Sequence, residues 1–260
     1  MKVYEFGDKN APAIFLLPGT CCYWKGNFGA VIPLLEEKMR VCVVSYDGFD
    51  DTEESTFPTM LEECARIEDY IKQNYGGHVR AVYGCSLGGS FVGLLAARGN
   101  ITMDYGILGS SDLDQAGKSK TGLLIRIGIP LLYPMIHDGE FKSGFMKKRS
   151  EKSMAANGEY GRKFMDMMKG PKGEGMPFVS RESVANQFGS DMMTPLPDKI
   201  DPAQGEIHIF YALKMGEKYR DRYLKHFAHP VIHEHDLRHE ELLACYPEKW
   251  TEEVFNTVLR

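Results

Sequence analysis

Residues 78–98 read His78-Val79-Arg80-Ala81-Val82-Tyr83-Gly84-Cys85-Ser86-Leu87-Gly88-Gly89-Ser90-Phe91-Val92-Gly93-Leu94-Leu95-Ala96-Ala97-Arg98. A short β-branched apolar run ends at Gly84, and an apolar, helix-forming stretch begins at Leu87 and closes at Gly99. Only Cys85 and Ser86 lie between them. A strand that turns into a helix so abruptly forces its central residue into a backbone conformation the chain otherwise avoids. The flanking residues must then be small enough for the chain to double back, and Gly84 and Gly88 supply that room. Ser86 Oγ is expected to stand above the sheet edge, with a helix N-terminus behind it that favours developing negative charge. G-x-S-x-G recurs by chance; the strand before it and the helix after it carry the inference.

Outward from this turn the rhythm repeats. Ala13–Leu17 is an apolar run closed by Pro18-Gly19, and Arg40–Ser45 is a second β-branched run. Between Pro58 and Tyr75, the apolar positions Met60, Leu61, Cys64, Ile67 and Ile71 recur at helical spacing, and Gly76-Gly77 ends the segment. A further strand is expected at Met103–Leu108. Strands alternating with helices predict an α/β fold, a mostly parallel sheet with helices on both faces. From about Asp114 to Pro197 the alternation stops, in a stretch rich in Lys, Gly and Met with helical fragments such as Glu159–Met168. It resumes with a strand over Glu206–Leu213, a helix near Tyr219–Phe227, a strand at Pro230–His235 and a last helix from about Glu240. Residues 1–113 and 198–260 are therefore expected to form one core, and 114–197 a helical insertion.

Composition narrows the class. With 43% hydrophobic and 26% charged residues among 260, the chain is an ordinary globule large enough to bury a full core. Its net charge of −5 argues against nucleic acid as the main partner. Within 114–172, twelve Lys/Arg face six Asp/Glu, a local +6 that would draw anionic or amphiphilic molecules. No run of about 18 apolar residues predicts a membrane span, and no basic–apolar–small order marks a signal peptide. A cytoplasmic protein is expected. The six cysteines, Cys21, Cys22, Cys42, Cys64, Cys85 and Cys245, form no CxxC pair and no zinc-like pattern with His, so reduced thiols are expected.

Two more stretches belong with Ser86. Leu16-Leu17-Pro18-Gly19-Thr20-Cys21 ends the first apolar run in a turn whose N–H from Thr20 or Cys21, with that of Leu87, could receive an oxyanion. Leu237-Arg238-His239-Glu240-Glu241-Leu242-Leu243 follows the last strand, and His239 can lean over the sheet edge to take the Ser86 proton. His233 and His235 lie inside the strand and are read as structural.

Together LLPGT, VVSYDGFD, GCSLGGS and LRHEELLACYPEKW resemble the α/β-hydrolase superfamily, of the lipase/esterase type, over nearly the whole chain. Two positions depart from the common pattern: Pro18 replaces a His before Gly, and Arg238 replaces a Gly before the histidine. The resemblance implies a cap inserted after the sixth core strand and a triad in the order Ser, acid, His. It puts the acid after the penultimate strand, where Glu217 is the nearest match, although G-x-x-D would fall on Tyr219. Asp112, after the Met103–Leu108 strand, is a second candidate. The expected activity is cleavage of small-molecule carboxylic esters through an acyl-serine, with no cofactor or metal. Thioesterase, acyltransferase or aminopeptidase chemistry would use the same groups, and a non-catalytic ligand-binding protein would share the scaffold.

Overall fold

The structure, a computed structural model, describes residues 1–113 and 118–260. Seven strands form one sheet in the order β1-β3-β2-β4-β5-β6-β7. They are β1 (Lys2–Phe6), β2 (Ala13–Leu17), β3 (Arg40–Ser45), β4 (His78–Gly84), β5 (Thr102–Leu108), β6 (Glu206–Ala212) and β7 (Val231–His235). All neighbours run parallel except β1, which pairs antiparallel with β3. β1 was not read from the sequence: its alternation, Lys-Val-Tyr-Glu-Phe, is that of a half-buried edge strand rather than a continuous apolar run.

The helices are α1 (Trp24–Phe28), α2 (Ile32–Leu35), α3 (Met60–Tyr75), α4 (Leu87–Arg98), α5 (Lys118–Leu123), α6 (Ile129–Asp138), α7 (Gly144–Met167), α8 (Arg181–Met193), α9 (Glu217–His226), α10 (Glu241–Cys245) and α11 (Pro247–Val258). α3 starts where Thr59 accepts the Glu62 N–H and ends at left-handed Gly76. It buries Met60, Cys64, Ile67 and Ile71, while Leu61 stays exposed. α3 and α4 pack together on one face of the sheet, and α1, α2 and α11 on the other. β2 is buried at every position, as a strand covered on both faces must be. On one face Tyr46 stacks on Phe91 of α4, with centroids 5.0 Å apart; on the other Tyr83 meets Trp250 of α11 edge-on at 4.7 Å.

Between β5 and β6 the described elements are helices joined by loops, α5 running through a π turn at Leu124–Gly128 into α6. These helices follow the fifth strand of this sheet and precede its sixth. The expected start of the insertion at 114 lies outside the described residues. α7 is longer than the fragment read from sequence and breaks at Gly158, whose φ of 56° and ψ of −127° interrupt the helix. Among the described residues no helix is long and apolar enough to cross a membrane.

Candidate active site

Leu17 and Gly84 are paired in the parallel register of β2 and β4. The chain continues from both at the same edge, so Thr20 and Leu87, each three residues further on, leave the sheet from neighbouring strand ends. β4 cannot run on. Ser86 has φ 50° and ψ −110°, a conformation costing on the order of 1–3 kcal/mol, and the next residue is already helical. The turn closes only because two side chains are missing. A Cβ on Gly84 would lie 2.1 Å from the Gly88 carbonyl, and one on Gly88 would lie 2.2 Å from the Leu17 oxygen.

His239 Nε2 is 3.1 Å from Ser86 Oγ. The loop that carries it is held at several points. Lys214 N–H donates to the Leu237 carbonyl at 3.0 Å, and the Arg238 N–H donates to Glu241 Oε2 at 2.7 Å. α7 closes over the same loop: the Tyr160 hydroxyl donates to the His239 carbonyl at 2.9 Å, and Phe164 meets the imidazole edge-on at 5.9 Å. Glu240, the next residue, turns into the left-handed region with φ 53° and is buried. Its Oε1 accepts the Ser86 N–H at 2.8 Å and its Oε2 accepts the Tyr83 hydroxyl at 3.1 Å.

The β2 turn is equally well held. Asn27 Oδ1 accepts the Gly19 N–H at 2.8 Å, and Gln187 Oε1, from α8, accepts the Cys21 N–H at 2.7 Å. Cys22 N–H donates to the Gly19 carbonyl at 3.2 Å. On the β4 side the Gly88 and Gly89 N–H groups bond back to Cys85 and Ser86. Two N–H groups in these turns, those of Thr20 and Leu87, donate to no acceptor among the described residues. Since Gln187 occupies the Cys21 N–H, Thr20 is the one of these two residues whose N–H is left over among the described residues. Of the five non-glycine residues with positive φ among the described residues, Cys21, Ser86 and Glu240 all belong to this site.

No hydrogen bond joins the expected acid, Glu217, to His239 among the described residues. Glu217 opens α9 after a 3-10 turn at Leu213–Met215, and there it is exposed. Among the described residues no carboxyl group is hydrogen-bonded to the imidazole. Asp112 lies beyond the end of β5, its main-chain carbonyl accepting from Arg222 Nη1 at 2.7 Å. Burial disfavours the thiolate form of the nearby cysteines. Burial pushes the Cys22 thiol up to about 12, and burial together with Glu240 holds the Cys85 thiol well above the usual range. All six cysteines are free. His233 and His235 lie in β7 as read from the sequence; His233 bonds His208 at 2.9 Å and Glu253 at 2.8 Å.

Sequence reasoning missed Glu240, Asn27, Gln187, Tyr160 and Phe164. Only the aromatic pair had a local signal, a spacing of four on a helical fragment. The others act across folds of the chain that no local pattern announces.

No protein-family model and no curated protein matches the sequence. Solved structures do resemble it over nearly its whole length. A putative α/β hydrolase family protein from Desulfitobacterium hafniense is 18% identical with a TM-score of 0.79, covering 100% of both chains. A thermophilic esterase from Thermogutta terrifontis is 15% identical with a TM-score of 0.71, covering 99% of this chain and 92% of the other. An enol-lactonase from Burkholderia xenovorans is 14% identical with a TM-score of 0.68, covering 100% of this chain and 96% of the other. The chain has the α/β-hydrolase fold.

Proposed function

We propose that the protein is a serine hydrolase that cleaves carboxylic esters through an acyl-serine. The observation that carries this reading is the 3.1 Å approach of His239 Nε2 to Ser86 Oγ at a strained, glycine-flanked turn. His239 takes the serine proton as Oγ attacks the acyl carbon, then returns it to the departing alkoxide; water activated by the same imidazole releases the acid. The unused Thr20 and Leu87 N–H groups receive the oxyanion, each worth about 3–4 kcal/mol in comparable sites. The catalytic weight rests on the Ser86–His239 pair. Glu217 serves this reading as the triad acid only if α9 moves its side chain to the imidazole.

The 114–197 segment is proposed as the substrate-selecting cap. A cavity of about 370 Å³ lies against the two residues that cover His239, lined by Tyr160 and Phe164 together with Met146, Met154 and Met165. A second, of about 480 Å³, shares Met154 and Met165 and adds Met135, Met168 and Arg162. Flexible thioether walls suit an acyl or alkyl chain, so esters of apolar acids are the substrates to try first. A fluorophosphonate probe tests the reading: it should label the wild-type protein and not Ser86→Ala. A panel of p-nitrophenyl esters of increasing chain length should show turnover that Ser86→Ala abolishes. An unlabelled wild-type protein that turns over no ester rejects the proposal.

A further inference from the structure

His239 and Glu240 are consecutive, and both hold Ser86. The imidazole takes its side chain, Nε2 to Oγ at 3.1 Å; the carboxyl takes its main chain, Oε1 to the N–H at 2.8 Å. The contacts cross 153 and 154 residues of sequence, and they tie the loop after β7 to the turn after β4 at two points on one residue. Three neighbouring features serve the second contact. Glu240 takes a left-handed backbone, φ 53°, and its side chain reaches the Ser86 N–H. Its other oxygen is anchored by the Tyr83 hydroxyl on β4 itself at 3.1 Å. Gly109 leaves the space: a Cβ there would come within 2.5 Å of both Glu240 Oε1 and Tyr83 Oη. The residue is 3% exposed, too deep to meet substrate.

We infer that Glu240 is a positioning residue, a tether that holds the strained Ser86 backbone in register with His239. This rests on the reading of Ser86 and His239 as the reacting pair. The imidazole lacks a carboxyl partner among the described residues, so the register of Oγ and Nε2 depends on the loop's main chain. Glu240 fixes that main chain to the nucleophile directly. With the tether cut, Ser86 can relax from φ 50°, and a misplacement of about 1 Å costs on the order of 100-fold in rate.

The test compares three variants under ester turnover, with active sites counted by fluorophosphonate labelling. Glu240→Gln keeps an oxygen for the Ser86 N–H, while the Tyr83 hydroxyl rotates to accept from the amide. Glu240→Met keeps the volume and loses the acceptor; Gly109→Ala keeps Glu240 and crowds its carboxyl. The expected result is kcat lowered about 100-fold in Glu240→Met with KM within twofold, and restored by Glu240→Gln to within about fivefold of wild type. Gly109→Ala should fall between them. Full activity of folded Glu240→Met overturns the proposal, as does a Gln variant no better than the Met variant. A wild-type protein that neither labels nor turns over ester rejects the hydrolase reading instead, so the two failures are distinguishable.

Discussion

Replacing Gln187 by Met separates what the α8 side chain does for stability from what it does for catalysis. Gln187 is fully buried; its Oε1 accepts the Cys21 N–H at 2.7 Å, and its Nε2 has no acceptor among the described residues. Methionine matches the volume, so no large cavity opens. The Cys21 N–H becomes an orphan, which costs about 1–3 kcal/mol, but the orphaned Nε2 disappears and returns a quantity of the same size. Stability should hardly change: a net difference of at most about 1 kcal/mol moves Tm by roughly 2–4 °C in a chain of this length. If the proposed function holds, catalysis should not escape so lightly. Cys21 sits at φ 53°, and the Gln187 bond is what holds that strained residue next to Thr20. Once released, the turn drifts and aims the Thr20 N–H away from the oxyanion. Complete loss of one such donor costs about 10²–10³-fold. Partial misalignment should then lower kcat by about 10- to 100-fold, or about 1.4–2.7 kcal/mol of barrier. KM should hold, because the contact strengthens only in the transition state. Ester turnover and a thermal melt on the same preparation decide it. A Gln187→Met protein with wild-type kcat and wild-type Tm refutes the claim that this bond orders the oxyanion turn.

Four further outcomes are expected. Ser86→Ala and His239→Ala should each lower kcat by several orders of magnitude, together no more than either alone, whereas Glu217→Gln should leave it within about twofold; a collapse in Glu217→Gln would restore Glu217 as the acid. Gly84→Ala, whose Cβ would sit 2.1 Å from the Gly88 carbonyl, should fail to give soluble folded protein. Gly99→Ala, with φ 60° and open space around it, should cost only about 1–2 kcal/mol in a melt, and equal effects from the two would refute the close-packing argument. Burial acts to raise the Glu68 carboxyl, but Arg98 at 2.6 and 2.9 Å and Asn100 at 2.9 Å outweigh it and hold it below the usual 4.5. A depressed folded value contributes stability above the unfolded value that is lost as pH falls through the folded one, so Glu68→Gln should lower Tm at pH 7 by roughly 4–8 °C and flatten its decline below about pH 4.5.

Much of the fold was legible because it is written locally. Apolar runs of five to seven residues closed by glycine mark buried strands, and spacings of three and four mark α3, whatever the rest of the chain does. The turn at Ser86 was legible for a similar reason: Gly84 is required by atoms within four residues, those of Gly88, although Gly88 itself is required by Leu17 on the neighbouring strand. β1 was not, since an alternating edge strand becomes recognisable only when β3 offers it a partner.

The site divides along the same line. The residue types at Ser86, His239, Thr20 and Leu87 could be named from position alone, because each follows a strand end and the parallel register carries all strand ends to one edge. Which groups bond which could not. The Glu240–Ser86 and Gln187–Cys21 contacts span 154 and 166 residues, and their existence depends on angles accumulated over whole helices and strands. Glu217 shows the converse. Its place in the chain after β6 fits an acid, but at the start of α9, after the 3-10 turn, it is exposed and makes no hydrogen bond to His239 among the described residues. Sequence determined which chemical groups reach the sheet edge, since that follows from local periodicity. Only tertiary structure decided which of them are held, by which neighbour and with which N–H left over, since hydrogen bonds form within about 3 Å and no local pattern resolves distance that finely.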